Sequence, residues 1–328
     1  MKYNIIFSIP IHEKFEVVID QIVNFFYFNP NCAIVYHISQ GFNYKGSSLT
    51  KECFLDIVKS IGNVYINPES VRTGRDDIIQ AHLSNFKYVE DNFDFGHFCL
   101  CASNELFFKH GLFKYIEPFD CGLECLDVLS SENREWVAGL KAQQDLELKE
   151  YLKKKGGCGI FGSHVEGSYY RKELFSEVIK EIESFYDYHF MTFPYPRDEI
   201  YFSSVIYAMK ESGKKLKIKE DGLFSWSRWH SLMDLKVWSW DVGRLQKKGN
   251  VYSLKRVERD INANLRMYMR KYLGYANVVH TYVPETLEKS CLSTFFSDIV
   301  DYSIECCRMI YRRIRRLYWR HSGYYQNV

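Results

Sequence analysis

Short apolar runs alternate with segments of helical periodicity over the first 110 residues of the chain. Residues 3–9 and 32–39 are almost continuously apolar, as buried parallel strands are. In residues 13–28 and 49–62 the apolar positions recur at helical spacing instead. The same alternation continues with predicted strands at 63–67 and 95–103 and a predicted helix at 75–92. This order predicts an α/β fold with a mostly parallel central sheet, helices on both faces, and ligands at the carboxyl ends of the strands.

The pattern becomes less regular after residue 103. A charged segment at 131–157 and residues 171–189 have helical periodicity, and a further helix follows the turn Pro194-Tyr195-Pro196-Arg197. From about residue 258 onward the pattern is mostly helical. We find no internal repeat, low-complexity tract or obvious linker.

Composition narrows the possible functions. With 46% hydrophobic residues in 328, the chain can bury a sizeable core, which excludes global disorder. The formal charge of +2 is too small to indicate nucleic-acid binding by the chain as a whole. The unusual feature is the 25 Tyr and 24 Phe, which either fill the core or form aromatic faces for a ligand such as a sugar or base.

The cysteines and the N-terminus indicate a reducing compartment. Ten cysteines are spread over the whole chain, and the N-terminus lacks the uninterrupted apolar run of a signal peptide. We therefore expect a cytoplasmic protein with free buried thiols. Zinc held by cysteines is not expected, because no Cys-x-x-Cys pair exists. The uncharged stretch between Asp20 and Lys45 is interrupted by polar residues and proline, so it does not predict a membrane span.

Several polar residues stand where chemistry is expected. Asp198-Glu199 precede an apolar helix, where they form either a helix cap, the alternative that the pattern alone favours, or a general base at the mouth of a pocket. His12 and His37 stand at the ends of the first two strands, where they are either ligand contacts or structural residues.

Two basic groups could bind phosphate. The segment Arg72-Thr73-Gly74-Arg75 follows the third strand, and it either holds a phosphate or is a solvated loop. Lys255 and Arg256 form a basic pair that suits a diphosphate leaving group, although a surface face is the commoner explanation of such a pair. No metal-holding Asp-x-Asp is found: the nearest candidates, Asp91 and Asp94, are three residues apart and precede a strand. A Walker loop and a GxGxxG motif are also absent from the sequence.

The chain ends in a basic, aromatic segment. From Cys306 to Val328 there are six arginines and no acidic residue, interleaved with Ile, Leu, Tyr and Trp. An amphipathic helix of this kind, centred on residues 306–320, suits an anionic membrane surface. Docking on an acidic partner or on the domain itself are the alternatives.

Over about residues 3–260 these segments occur in an order that resembles the core-2/I-branching β-1,6-N-acetylglucosaminyltransferase and peptide-O-xylosyltransferase family. The segment IIFSIPIHEKFEVVIDQIVNF is similar to the family's opening strand, His-containing turn and helix, and AIVYHIS to its second strand. Further similar segments are Gln80-Ala81-His82-Leu83, Ser103-Asn104-Glu105-Leu106, GIFGSHVEGSYYRKEL, Pro196-Arg197-Asp198-Glu199 and VYSLKRV. The chain departs from the family pattern at Ser39, where an Asp is usual, and around Asn104.

The resemblance implies an inverting glycosyltransferase of GT-A type that works without a metal. It implies that Glu199, beside Asp198, is the general base, with Glu166 as the second candidate or as an acceptor contact. Lys255 and Arg256 would stabilise the departing nucleoside diphosphate. The predicted donor-binding residues are His12, His37, Ser39, Arg72, Arg75, Ser103, Asn104, Glu105, Lys255 and Arg256. The predicted acceptor-binding residues are Glu166, Trp226 and Trp229.

The sequence therefore predicts transfer of a sugar from a UDP-sugar such as UDP-GlcNAc to a glycan or lipid-linked glycan hydroxyl. The predicted units are a catalytic domain at 1–257, divided into a nucleotide-sugar half (1–110) and an acceptor half (111–257), and a helical region at 258–328. Because Golgi members of the family carry a signal anchor, its absence predicts a bacterial-style enzyme of surface polysaccharide synthesis, at the inner face of the plasma membrane. The alternatives are a metal-dependent nucleotide-sugar transferase of another family, using Asp91 or Asp94, and a non-catalytic carbohydrate-binding protein on the same fold.

Overall fold

A computed structural model describes residues 2–40, 46–74, 78–130, 136–157, 159–187, 195–226, 238–255 and 257–283, together with 296, 298–300, 302–304 and 307. The predictions for Arg75, Trp229 and Arg256 lie outside these residues. So does the prediction for the basic C-terminal segment, of which only Cys307 is described.

Twelve strands and eleven helices are assigned within the described residues. The strands are β1 (Lys2–Ile11), β2 (Cys32–Ile38), β3 (Val64–Ile66), β4 (Asp94–Leu100), β5 (Leu106–Phe107), β6 (Cys121–Leu123), β7 (Leu126–Asp127), β8 (Phe161–Gly162), β9 (Tyr169–Arg171), β10 (Ile218–Glu220), β11 (Ser225–Trp226) and β12 (Ser253–Leu254). The helices are α1 (Phe15–Phe28), α2 (Lys51–Ile61), α3 (Ile78–Asn92), α4 (Leu112–Ile116), α5 (Val137–Ala142), α6 (Leu146–Lys154), α7 (Lys172–Glu183), α8 (Asp198–Glu211), α9 (Ser239–Gln246), α10 (Asn264–Leu273) and α11 (Ala276–Tyr282).

The predicted α/β fold with a mostly parallel central sheet is confirmed. Seven strands pair in the order β10-β6-β9-β4-β1-β2-β3, and only β9 runs antiparallel to its neighbours. From β1 the chain moves outward through β2 and β3 and then returns to pair β4 on the other side of β1. The carboxyl ends of β1 and β4 therefore lie side by side where the strand order reverses, which is where such sheets bind ligands.

The sheet is covered on both faces, as predicted. Ile5, Phe7 and Ile9 of β1 pack with α1 and α2, whereas Ile6 packs with α3, α7 and α8. Successive strand residues point to opposite faces, so one strand contributes to two separate cores. Most of the Tyr and Phe side chains in these two clusters of described residues are fully buried, so many of the chain's aromatic residues serve as core.

Residues 136–157, the described part of the charged segment at 131–157, do not form the single helix that the periodicity predicts. The structure has two short helices, α5 and α6, separated at Asp145. The side chain of Asp145 accepts a hydrogen bond from the backbone N of Leu148 at 3.0 Å and so caps the start of α6. A residue that caps one helix cannot continue the preceding one, and this cap divides the segment.

The C-terminal helices pack against α1. The carboxylate of Asp20 on α1 is fully buried, and its Oδ2 lies 2.6 Å from Nη1 of Arg266 on α10. Arg270 Nη1 lies 3.6 Å from the other oxygen. Asn24 Nδ2 also donates to the hydroxyl of Tyr275 at 3.1 Å. Helix α10 and the start of α11 are thereby attached to the sheet through α1.

Two further observations concern the described residues only. None of their helices is long and apolar enough to cross a bilayer. The seven cysteines among them are all free, and four of these are buried, at positions 32, 99, 101 and 121.

Candidate active site

The loops after β1 and β4 are tied together at the carboxyl edge of the sheet. The backbone N of His12, just after β1, donates to Oγ of Ser103 in the loop after β4, at 3.2 Å. Burial, with a smaller contribution from Arg259, lowers the pKa of His12, which therefore favours the neutral imidazole. Two predicted donor-binding residues thus meet at the crevice that the topology creates.

Glu166 and Lys255 form an ion pair beside this crevice, and both side chains are mostly buried. The turn that carries Glu166 is fixed by Gly167, whose φ is +93° and whose backbone N donates to Leu100 O at 2.8 Å. A Cβ at Gly167 would lie 2.5 Å from the backbone N of Ser225, so only glycine fits there. Lys255 is held in turn by its backbone N, which donates to Trp226 O at 3.0 Å.

The acidic pair Asp198-Glu199 begins α8, but it does not cap the helix. The residue at the N-cap position is Arg197, and no side-chain cap is formed. Instead, Oε2 of Glu199 accepts a hydrogen bond from the indole Nε1 of Trp136 at 3.0 Å. Gly162 makes room for that indole, because a Cβ at Gly162 would lie 2.2 Å from the ring. The carboxyl group of Glu199 is therefore held by a contact outside its own helix.

The turn before α8 is fixed by a buried polar network. The hydroxyls of Tyr195 and Tyr201 both donate to Oδ2 of Asp145, at 2.6 and 2.7 Å. Arg197 Nε donates to the Tyr201 hydroxyl at 3.1 Å, and its guanidinium lies over the ring of Tyr195. Asp145, which also caps α6, thus positions the first turn of α8 and with it the acidic pair.

Three neighbouring carboxyl groups have different protonation tendencies. Burial raises the pKa of Glu199, and the nearby Glu166 adds to the rise, while His164, Lys255 and the Trp136 hydrogen bond oppose it. The pKa of Asp198 is raised well above its ordinary value by burial, then by Glu199 and Glu166. For Glu166 burial also acts to raise the pKa, but Lys255 outweighs it, and the net effect is a lowered pKa. Such divergence is typical of acid–base sites.

The predicted donor residues after β2 hold a loop. The ring of His37 is fully buried, and its Nε2 accepts from the backbone N of Val71 at 3.0 Å. Burial, followed by the effect of His12, lowers the pKa of His37 to about 4. Ser39 Oγ accepts from the backbone N of Thr73 at 2.9 Å. Because they are buried and bonded to this loop, we assign His37 and Ser39 a structural role in place of direct donor contact, while Arg72 in the same loop is exposed.

The degraded motif at residues 103–106 is also mostly internal. Glu105 is fully buried, its Oε2 accepts from the backbone N of Ala102 at 3.1 Å, and its Oε1 is hydrogen-bonded to Ser253. Asn104 Nδ2 donates to Val257 O at 3.4 Å. These contacts join the loop after β4 to the segment that carries Lys255. Glu105 and Asn104 thus support the site from inside, and we revise the predicted donor contact for both.

The residues of the metal-dependent alternative lie at the wrong edge of the sheet. Asp94 is the first residue of β4 and pairs with Lys2, and Asp91 is near the end of α3. Both are exposed at the amino edge, away from the carboxyl ends that form the crevice. Among the described residues, no group of three His, Cys, Asp or Glu side chains could hold a metal ion.

Three residues of the site were not predicted from the sequence: Glu124, Trp136 and His164. His164 lies in the same turn as Glu166. Nδ1 of His164 lies 2.6 Å from Oε2 of Glu124, and the ring of His164 is stacked on the Trp136 indole. Glu124 and His164 are 40 residues apart, and Trp136 and Glu199 are 63 apart. No local sequence pattern predicts contacts between residues so far apart in the chain. The glycine at position 162, which leaves room for the indole, is the one indirect indication of them in the sequence.

Comparison with known proteins adds little to this geometry. The sequence matches no known protein family and no curated protein. Among solved structures, the chain is similar to the galactosyltransferase LgtC, whose structure is a complex with donor and acceptor sugar analogues. The identity is 10% and the TM-score 0.39, over 89% of this chain and 98% of LgtC. At that level the likeness carries no information on substrate or mechanism.

Proposed function

We propose that the chain is a glycosyltransferase in which Glu199 is the general base. One observation carries the proposal. Two mostly buried glutamates, Glu199 and Glu166, share a site beside the ligand crevice of a mostly parallel sheet, and their pKa values shift in opposite directions. A transferase of this kind needs a proton acceptor for the acceptor hydroxyl and a cation for the leaving diphosphate, and Glu199 and Lys255 supply these two groups.

Glu199 suits the role of base better than Glu166 does. A general base works best when its pKa is close to the working pH, and the pKa of Glu199 is raised. Glu166 has a lowered pKa and is already ion-paired with Lys255, so it is a weak proton acceptor. We assign Glu166 to orientation of Lys255 and contact with the acceptor.

The proposed step is a single displacement with inversion. The acceptor oxygen attacks the anomeric carbon, its proton moves to Glu199, and the bond between that carbon and the diphosphate oxygen breaks with its electrons on the diphosphate. Lys255 then stabilises the negative charge of the leaving group. Because this cation is part of the chain, we propose that the transfer needs no metal, and activity should persist in excess chelator.

The finer identity of the substrates rests on the sequence resemblance alone. We propose a UDP-sugar, with UDP-GlcNAc as the first candidate, and a glycan or lipid-linked glycan as acceptor. Trp226, half-buried next to Lys255, is the described residue best placed to stack on an acceptor sugar.

A donor screen tests the proposal. Nucleotide sugars are first tested for binding by calorimetry, and those that bind are then assayed for hydrolysis and for transfer to candidate glycans. In the Glu199→Gln variant we expect binding within about twofold of the unchanged protein and turnover lowered by roughly 10²–10⁴-fold, the usual contribution of a general base.

Glu211→Gln is the matched control, because Glu211 is an exposed glutamate at the other end of α8. It should leave both binding and turnover unchanged. Unaltered turnover in Glu199→Gln would refute the assignment of the base. Binding of a nucleotide sugar without turnover, in the presence of acceptors, would support the non-catalytic carbohydrate-binding protein instead.

A further inference from the structure

Glu124 and His164 form a tightly bonded pair beside Glu199. Oε2 of Glu124 lies 2.6 Å from Nδ1 of His164 and also accepts from the backbone N of His164 at 3.1 Å. The backbone N of Glu124 donates to Ser163 Oγ at 2.9 Å. Both side chains are about one-fifth exposed, so solvent screens the pair only in part.

The pair fixes the tautomer of the imidazole. An ionised carboxylate can only accept hydrogen bonds, so Nδ1 of His164 carries a proton. In the neutral ring Nε2 is then the acceptor nitrogen, and the bond to Glu124 fixes the orientation of the ring. The same arrangement orients the histidine bases of many enzymes.

Two contacts connect this pair to the proposed base. The His164 ring lies nearly parallel to the indole of Trp136, with 6.4 Å between the ring centroids and 21° between the planes, and Trp136 Nε1 donates to Glu199 Oε2 at 3.0 Å. The backbone N of Ser163, next to His164, donates to Glu199 O at 2.8 Å. Displacement of His164 is therefore expected to reach Glu199 both through the indole and through the backbone.

We infer that Glu124 and His164 are positioning residues: they hold the Trp136 indole, and through it the carboxyl group of Glu199, in place for proton transfer. The inference rests on the proposed function of Glu199. Among the described residues, the other groups that face Glu199 are Asp198 on α8, Glu166 in the turn before β9, Lys255 after β12 and Trp136 before α5. Lys255 is the lysine or arginine of this set, and it is paired with Glu166.

The pH dependence of transfer tests the inference. His164→Gln removes the ring beside the indole and should raise the pKa of Glu199, because both His164 and the Trp136 hydrogen bond oppose the rise that burial causes. The acid limb of the kcat/KM profile should then move upward by up to on the order of one pH unit, since a hydrogen bond to the charged form lowers the pKa of a carboxyl group. Glu124→Gln keeps a hydrogen-bond acceptor but weakens the hold on the His164 ring, and it should move the limb in the same direction by less.

His110→Gln is the matched control, since His110 is also bonded through Nδ1, to Phe28 O, and packs at the far end of α1. It should leave the pH profile unchanged. A merely structural role for His164 would lower activity at all pH values without moving the limb. An unmoved limb in both His164→Gln and Glu124→Gln would overturn the inference.

A measurement without substrate separates this inference from the proposed function. Nitrogen NMR of the His164 ring should show the Nδ1–H tautomer in the unchanged protein, and loss of that preference in Glu124→Ala. If the tautomer is as expected but no nucleotide sugar is turned over, the proposed function is wrong, and the Glu124–His164 pair has a structural role only. If transfer occurs and the ring is in the Nε2–H tautomer, the inference about the pair is wrong, and the proposed function is unaffected.

Discussion

Glu105, Glu166 and Glu199 are three glutamates of one region whose environments give them different chemistry. Glu166 is ion-paired with Lys255, and Glu199 accepts a hydrogen bond from the Trp136 indole. Glu105 is buried and accepts hydrogen bonds from uncharged donors. Burial raises the pKa of Glu105 to about 7, although the hydrogen bonds from Ser253 and Ser225 and from the backbone of Ala102 lower it. Residue type alone therefore did not decide which acid performs which task.

Glu105 should make stability depend on pH. An unfolded Glu ionises near 4.5, whereas the folded group holds its proton up to about pH 7. Between these values the folded state binds more protons, so stability is complete below about 4.5 and falls as pH rises to about 7. In Glu105→Gln, which cannot ionise, this loss of up to about 3 kcal/mol should be absent.

Urea unfolding of both proteins at roughly pH 5 and pH 8 measures the difference, and comparing the two proteins cancels the contributions of other groups. An equal decline of stability in the two would show that Glu105 is not protonated in the fold.

At this scale the sequence identified part of the site. The acidic pair after the Pro196-Arg197 turn could be identified because it stands directly before a helix. Lys255 could be identified because it stands directly beside a strand. Trp136 and Glu124 could not, because their contacts cross 63 and 40 residues of chain. The burial of His37 and Glu105 could not be predicted either, because it depends on the tertiary structure.

At the scale of the elements, strand β8 and the residue just before α5 determine where the carboxyl group of Glu199 on α8 lies. Gly162 lies in β8, and any Cβ there would overlap the Trp136 ring. The alternation of strands and helices in residues 3–103 was predictable because each period is repeated over several residues. The break in the helix at Asp145 was not predictable, because a single capping residue ends the helix although the periodicity of the segment continues.

Gly162→Ala should displace the indole of Trp136. We expect a loss of roughly 1–3 kcal/mol in stability from overpacking, together with an altered near-ultraviolet circular dichroism spectrum. Because the Trp136 hydrogen bond opposes the rise of the Glu199 pKa, transfer should also become slower at acidic pH.

Gly159→Ala is the control for Gly162→Ala, because a Cβ at Gly159 would meet Phe161 at an ordinary 3.5 Å. Trp136→Phe keeps an aromatic side chain but removes the N–H donor, and it should reproduce the change in activity. Full activity at acidic pH in both Gly162→Ala and Trp136→Phe would mean that the indole does not influence Glu199.

For the whole molecule, the buried ion cluster on α1 links the two ends of the described chain. Asp20 faces Arg266 and Arg270, and the three side chains are almost completely buried. Asp20→Ala would leave two buried guanidinium groups without their carboxylate and should lower the free energy of unfolding by about 3–5 kcal/mol.

Chemical denaturation followed by circular dichroism measures this loss. Asp91→Ala, an exposed acid at the end of α3, should change stability by less than about 0.5 kcal/mol. If Asp20→Ala were as stable as Asp91→Ala, the cluster would not hold α10 to α1.

The order of the central sheet also bears on how this protein behaves at high concentration. Among the described strands, β10 forms one border of the central sheet, and an open border offers unpaired backbone groups to any other extended chain. Here that border is only three residues long, and Lys215, Lys217 and Lys219 stand in and beside it. Ammonium groups repel an approaching identical strand, so the border is protected against intermolecular sheet growth, and replacing these lysines with threonine should promote aggregation.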